Sequence, residues 1–205
     1  MAQQLYDQGT ASMNDIGHTL KVSKATCNGV ITGTNAASET NDVITTLEMT
    51  SPADLRPGRA ASEPIEFVVV NPAAPRLIRS TYVRVWEPLA SGGRMDWSER
   101  DWRRELSRPG VEAWIARIGG EVAGLVELEA EPDGDVGIVV FGLVPEFIGR
   151  GFGAALLTLA TKLAWERPGQ RPVRRVWLQT SSGDHPHAMK NYLARGFKVV
   201  AGQQT

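Results

Sequence analysis

Residues 145–157 read PEFIGRGFGAALL and place glycines at positions 149, 151 and 153, between an apolar strand pattern and an apolar helix pattern. Glycine lets the backbone approach a ligand closely because it has no Cβ atom. A helix that follows such a loop directs its unpaired N–H groups and its positive dipole end towards an anion. The segment therefore predicts a binding site for a pyrophosphate, and hence a nucleotide-like cofactor.

The size and composition of the chain favour one soluble α/β domain. Its 205 residues suffice for one such domain and are few for two. The formal net charge of −1 gives no basic field for a nucleic acid, and the single cysteine excludes an internal disulfide or a thiolate zinc site. No apolar run reaches the length of a membrane span, and no export signal is evident. We expect a cytoplasmic protein with no metal, nucleic-acid or membrane partner.

Residues 1–63 differ in composition from the rest of the chain, because they are rich in Ser, Thr, Asn, Gly and Ala and show no sustained period. We interpret them as a poorly ordered extension or linker. An alternative for part of this segment is a short hairpin across Asn28-Gly29, because that dipeptide suits a tight turn. The folded domain is predicted over residues 64–205.

From residue 64 onwards the hydrophobic periods predict the order β-α-α-β-β-β-α-β-α-β. The first helix is predicted over residues 76–86, and the second begins after Ser98 as its N-cap. Three strands over 111–118, 121–131 and 135–144 are joined by Gly- and Asp-containing turns typical of hairpins. This antiparallel meander leads into the glycine segment, which indicates an α+β or α/β fold.

Two other nucleotide-binding folds fit the glycines less well. Gly149, Gly151 and Ala154 satisfy the dinucleotide pattern G-x-G-x-x-[GA]. That pattern belongs in the first strand–helix turn of a parallel unit, whereas hairpins precede it here. No Lys-Ser or Lys-Thr follows the glycines, which excludes a P-loop.

In element order and local motifs, residues 64–201 resemble the GNAT superfamily of N-acetyltransferases. The wording FGLVPEFIGRGFG, residues 141–153, is similar to a bacterial subgroup with a Phe-Ile pair before the glycines. The resemblance implies the GNAT acyl-CoA N-acyltransferase fold, a mixed central sheet with an antiparallel meander and flanking helices. It also implies an enzyme that transfers the acetyl group of acetyl-CoA to a primary amine of a small molecule or peptide by direct attack. A non-catalytic acyl-CoA sensor or scaffold with the same fold is the alternative.

The resemblance also implies a coenzyme A site. The family signature is Arg or Gln, two residues, Gly, one residue, then Gly or Ala, and Ile148 stands at the Arg/Gln place. Backbone N–H groups would therefore make most of the contacts that hold the pyrophosphate. Arg150 either adds a cation near the phosphates or is a surface arginine. The implied cofactor-binding residues are Phe141, Gly142, Leu143, Val144, Gly149, Arg150, Gly151, Phe152, Gly153, Ala154, His185 and Asn191.

The strand at residues 141–144 matches the family strand that pairs with the pantetheine arm. Gly142 permits a bulge there, and the bulge would aim an N–H at the thioester carbonyl. An ordinary buried strand would satisfy the same apolar residues. His185 stands where many members have an Asn, and we leave open whether it contacts the coenzyme, acts as a base or caps a helix.

Two residues are the catalytic candidates. The segment 191–197, NYLARGF, resembles a family motif in which the tyrosine, here Tyr192, protonates the departing thiolate. The alternative is a half-buried tyrosine that packs on Phe197. Glu127 and Glu129 share one face of a predicted strand because side chains alternate. A carboxylate enclosed by apolar residues suits a general base, and we favour Glu127; the alternative is that both carboxylates face solvent.

Acceptor binding is predicted at Trp86, Glu87 and Glu129, with Trp97 and Trp102 nearby. Aromatic rings together with a carboxylate suit a cationic or amine-bearing substrate. The alternative is that the tryptophans are simply core residues. By analogy, exposed sheet edges and a C-terminal strand are consistent with a homodimer.

Overall fold

A computed structural model of the protein describes residues 43–90, 92–167 and 171–200. The hairpin considered at Asn28-Gly29 lies outside these residues. The strands are β1 (Ile44–Met49), β2 (Ile65–Val69), β3 (Val111–Ile118), β4 (Glu121–Ala130), β5 (Asp135–Leu143), β6 (Arg175–Ser181) and β7 (Lys198–Val199). The α-helices are α1 (Arg76–Trp86), α2 (Glu99–Leu106), α3 (Phe152–Trp165) and α4 (Ala188–Ala194). Short 3-10 helices lie at Pro52–Asp54, Glu87–Leu89 and Pro145–Phe147.

The strands form one mixed sheet in the order β2-β3-β4-β5-β6-β1-β7. Strands β3 to β5 are the predicted antiparallel meander, β2 extends it antiparallel to β3, and β5 pairs with β6 in parallel. Helices α3 and α4 pack on one face of the sheet, and α1 and α2 pack on the other. This mixed sheet with flanking helices confirms the predicted fold class.

Strand β1 corrects the interpretation of residues 1–63 as an extension for the part that it occupies, Ile44–Met49. It lies inside the sheet and is antiparallel to both of its neighbours, β6 and β7. Leu47 pairs with Leu178 on one side and with Val199 on the other, and it is 0% exposed. The sequence ITTLEM is short and contains three polar residues, so its period is too weak to identify a strand.

The two faces of β4 both contribute to hydrophobic cores. Val126 and Leu128 point into the core beneath α3 and α4, whereas Leu125 points into the core beneath α1 and α2. This is the alternation expected of a strand.

The predicted capping of α2 is also present, because Asp101 N–H donates to Ser98 Oγ at 3.3 Å and Ser98 N–H donates to Asp101 Oδ2 at 3.0 Å.

Strands β5 and β6 pair over only four positions, from Asp135–Arg175 to Ile138–Leu178. Against β4, Ile138 pairs with Leu128 and Val140 pairs with Glu127, so Val139 is the extra residue of a β-bulge. The bulge predicted at Gly142 is therefore misplaced, because Gly142 pairs regularly with Leu125. Past Ile138, in the described part of the chain, β5 has no strand partner on its β6 side.

We expect Leu47→Ala to lower the free energy of unfolding by about 2–5 kcal/mol, because it leaves a cavity in a fully buried strand. Val43→Ala, just before β1 at a position 52% exposed, is the matched control and should change it by less than about 0.5 kcal/mol. Urea denaturation of both variants measures the difference. Equal stability of the two variants would show that β1 does not belong to the core.

Candidate functional site

A cavity of about 780 Å³ opens where β5 and β6 diverge. Its walls come from the ends of these two strands, the glycine loop, the segment 184–195, and the C-terminal part of α1 with the loop that follows it. Most of the predicted site residues meet there. They are Trp86, Phe141, Gly142, Leu143, Gly149, Gly151, Gly153, Ala154, His185, Asn191 and Tyr192.

The glycine loop is shaped by two left-handed residues. Gly149 and Gly151 have φ values of 79° and 86°, which other L-residues rarely adopt. A Cβ atom built at either position would meet no other atom within 4 Å, so space is open over both glycines. Gly151 directly precedes α3, whose first N–H groups have no partner within the helix. The loop is therefore a cradle that could hold an anion through its backbone.

Three residues implied as cofactor ligands do not present their side chains to this cradle. The Arg150 guanidinium lies over the Phe147 ring at 4.9 Å and has an Nη2 atom 3.7 Å from Glu63. This geometry matches the surface-arginine alternative. The Phe152 side chain is buried in the core. Val144 is also buried, and its N–H already donates to the Ala123 carbonyl at 2.9 Å.

The free edge of β5 supplies further backbone groups. Residues 139–143 line the cavity or adjoin it, and their other edge pairs with β4. Alternate residues of a paired strand direct their N–H and C=O groups to opposite edges. Relative to the described strands, β5 thus offers unpaired donors and acceptors to an extended ligand in the cavity.

Tyr192 lines the cavity and is 7% exposed. Its ring lies edge-on to Phe141, with 6.3 Å between the ring centroids. Burial raises the pKa of the Tyr192 phenol well above its ordinary value, and the charge of Asp184 adds to the shift. A phenol in this environment keeps its proton at neutral pH, so it can donate a proton but cannot serve as a base.

Asn191 and His185 organise the cavity wall around α4. Asn191 Nδ2 donates to the Gly153 carbonyl at 3.2 Å, and its Oδ1 accepts from Arg195 Nη1 at 3.2 Å. Asn191 therefore ties α4 to the first turn of α3. His185 Nδ1 accepts from the His187 N–H at 3.3 Å in the turn before α4. The His185 ring thus stabilises this turn and also lines the cavity.

Glu127, the predicted base, lies in a buried ion cluster and not in the cavity wall. Arg94 Nη1 and Nη2 donate to its two carboxylate oxygens at 2.8 and 2.9 Å, and Nη2 also donates to Glu105 at 3.3 Å. Burial alone would lower the pKa of Arg94, but the charges of Glu127 and Glu105 raise it above its ordinary value. This structure corrects the prediction, because both oxygens of Glu127 are engaged by a permanent cation.

The two acidic residues predicted to bind the acceptor also lie elsewhere. Glu129 is buried and pairs with Arg108, which also donates to Glu105 at 3.0 Å. Glu87 is exposed in the 3-10 turn that follows α1. Among the described residues that line the cavity, the carboxylate is that of Asp184, which accepts from Thr180 Oγ1 and from the Ser181 N–H at 2.8 Å each.

Sequence reasoning missed four residues of the cavity wall. Tyr82 lies four residues before Trp86 on the buried side of α1, a helical spacing that could have identified it. Arg94 follows a Gly-Gly pair, and no local pattern marks it. Lys190 and Arg195 bring positive charge to α4 and its C-cap. Trp97 and Trp102 are buried core residues, as the alternative interpretation expected.

Residues 78–197 match the family described as the acetyltransferase (GNAT) family. The fold is similar to that of a GCN5-related N-acetyltransferase from Kribbella flavida, at 17% identity and a TM-score of 0.53, over 77% of this chain and 56% of that protein. It is also similar to a GCN5-related N-acetyltransferase from Sphaerobacter thermophilus, at 23% identity and a TM-score of 0.51, over 78% of this chain and 48% of that protein. The chain thus spans about half the length of these solved proteins. No curated protein matches the sequence.

Two further observations concern the described residues only. None of their helices combines the length and apolarity that a bilayer crossing requires. No three of their His, Cys, Asp and Glu side chains are grouped in a way that could hold a metal ion.

We expect Glu127→Gln to lower the free energy of unfolding by about 3 kcal/mol, because it removes one charge of a buried ion cluster. Glu87→Gln is the matched control, since Glu87 is exposed and should tolerate the same change within about 0.5 kcal/mol. Urea denaturation measures both variants. An unchanged stability of Glu127→Gln would argue that the carboxylate is free for another role.

Proposed function

The chain belongs to the acetyltransferase (GNAT) family, and from this premise we propose that it transfers an acetyl group from acetyl-CoA to a primary amine of a small molecule or peptide. The family and the fold support acyl transfer in general. The observation that carries the finer proposal is the cavity that joins the open glycine cradle to the free edge of β5. One site thereby offers backbone contacts for a diphosphate and for an extended amide-containing arm.

The described residues fit acetyl-CoA. The backbone at residues 149–154, at the start of α3, would hold the diphosphate, and residues 139–143 of β5 would pair with the pantetheine arm. Lys190 and Arg195 line the same cavity, and their charges suit phosphate groups. When bound, acetyl-CoA supplies a thioester whose carbonyl carbon accepts the amine.

Tyr192 is the proposed general acid. Transfer forms a bond between the amine nitrogen and the acetyl carbon and breaks the bond from that carbon to sulfur. Tyr192, whose ring lies edge-on to Phe141, holds a proton at Oη and would give it to the departing thiolate. The amine would lose its own proton to solvent, since Glu127 is engaged by Arg94.

We expect Gly151→Val to weaken acetyl-CoA binding by at least about tenfold, because its Cβ would occupy open space in the cradle and strain the loop. Gly120→Val is the matched control. Gly120 has a φ of 82° and equally open surroundings, but it lies in the β3–β4 hairpin. Calorimetric titration with acetyl-CoA should show a loss of affinity only for Gly151→Val. Equal affinities for the two variants would remove the basis of the cofactor site.

We expect Tyr192→Phe to lower kcat by about 100-fold at nearly constant acetyl-CoA affinity, because the ring is kept and the proton donor is lost. The ratio of wild-type to variant kcat should stay constant from about pH 7 to about pH 9.5, since the pKa of Tyr192 lies above the ordinary 10.0. A phenol with an ordinary pKa would begin to lose its proton, and the ratio would shrink as the pH rises. Thiol release measures kcat, and an unchanged kcat would exclude this role.

A panel of amines separates the enzyme from the non-catalytic alternative. Acetyl-CoA binding together with thiol release for at least one amine would support the proposal. Binding without thiol release above background for any amine would favour an acyl-CoA sensor. The absence of acetyl-CoA binding would overturn both functions.

A further inference from the structure

One side of the cavity is a fixed aromatic and apolar surface, which we term the aromatic wall. It comprises Tyr82, Val85 and Trp86 of α1 with Pro88 and Leu89 of the following turn. The rings of Tyr82 and Trp86 are stacked, with 4.3 Å between their centroids and 20° between their planes. Tyr82 is only 5% exposed and supports the Trp86 ring from the core, so Trp86, Pro88 and Leu89 provide most of the apolar surface towards the cavity.

The aromatic wall is held in place from three directions. A Cβ atom at Gly142 would lie 2.5 Å from Val85 Cγ1 and 3.4 Å from the Trp86 ring, so α1 packs directly on β5. A Cβ atom at Gly92 would lie 2.9 Å from Trp86 Cβ, and Gly92 adopts a φ of 107°. Tyr82 also lies edge-on to Trp102, with 5.4 Å between the ring centroids, and the Arg94 guanidinium, which is bound to Glu127, lies 5.3 Å from the same Trp102 ring. The wall is therefore preorganised for a ligand.

The aromatic wall lies across β5 from the proposed proton donor. Successive side chains of a strand point to opposite faces. Phe141 contacts Tyr192 on the α4 side, whereas Gly142 contacts Val85 and Trp86 on the α1 side. A ligand that rests on the wall would therefore approach the same stretch of β5 from the side opposite Tyr192.

Among the described residues, no side chain at this side of the cavity offers a counter-charge to a polycation. The charged lining residue here is Arg94, whose guanidinium is 2% exposed and bound to Glu127 and Glu105. Among the described lining residues the carboxylate is Asp184, which belongs to the β6 end and is engaged by Thr180 and Ser181. Several ammonium groups buried here would lose hydration without gaining a counter-charge.

We infer that the acceptor is an arylalkylamine, in which a flat aromatic group packs on the aromatic wall and a short chain carries the primary amine to β5. The inference rests on the proposed function and names its substrate class. It narrows the expected cationic or amine-bearing acceptor to one held by the aromatic wall instead of Glu87 and Glu129, because both carboxylates lie outside the cavity wall. Trp86 is the residue that would determine this specificity.

The inference is tested by measuring the acetylation of four amines through the release of thiol. The amines are 2-phenylethylamine, butylamine, spermidine and kanamycin. We expect kcat/KM for 2-phenylethylamine to exceed the values for the other three amines by at least about tenfold. Trp86→Leu should reduce the value for 2-phenylethylamine by at least about tenfold and leave acetyl-CoA affinity unchanged. Trp86→Phe, which retains a flat ring, should restore most of the loss. Leu77→Ala, on the exposed side of α1, is the control for a general effect on the helix.

Calorimetric titration of 2-phenylethylamine into protein saturated with coenzyme A separates this inference from the proposed function. If 2-phenylethylamine binds and Trp86→Leu weakens that binding, the aromatic acceptor is supported even when no amine releases thiol. The absence of thiol release would overturn only the enzymatic function. A preference for spermidine or kanamycin would overturn the inference and leave the enzyme intact. An equal loss for all amines in Trp86→Leu would also overturn it.

Discussion

The separation of β5 from β6 is the constraint on which the candidate site depends. The strands share four paired positions, and the extra residue at Val139 then increases the local twist of β5. Strand β6 continues along its other neighbour, β1, while β5 continues along β4. The two paths diverge, and the gap between them leaves one edge of β5 unpaired. Loops, helix ends and aromatic side chains surround a gap that the sheet itself creates.

Buried ion pairs support this site, although their carboxylates do not line the cavity. Arg94 binds Glu127 on β4 through its side chain, and its guanidinium lies 5.3 Å from the ring of Trp102, which packs edge-on against Tyr82 on α1. A single residue of the α1–α2 loop therefore joins the sheet, through Trp102, to the helix that carries the aromatic wall. Buried ion pairs contribute little net stability because desolvation offsets their attraction. Their value here is geometric, since a guanidinium with two carboxylate partners fixes the direction of the loop.

Local sequence patterns were sufficient to predict most of the fold and the glycine cradle. Helix α1 and the β3–β5 meander follow from hydrophobic period and turn residues, which act within about ten positions of the chain. The role of Glu127 could not be predicted in this way. Alternation correctly placed it on the face that carries Leu125, but its partner, Arg94, comes from a glycine-rich loop without any period. Strand β1 was missed for a related reason, because its burial comes from distant strands and not from its own composition.

The place of β1 has a consequence for how the chain folds during synthesis. Ile44 pairs with Ser181, so a strand that leaves the ribosome early must wait for a partner made much later. Until β6 appears, both edges of β1 are open to intermolecular pairing, and its non-local closure is slow. Strand β7 can add only after β1 has docked, because it pairs with β1. Strand β1, the first strand among the described residues, thus completes the part of the sheet that contains β6 and β7, which makes late assembly the vulnerable step.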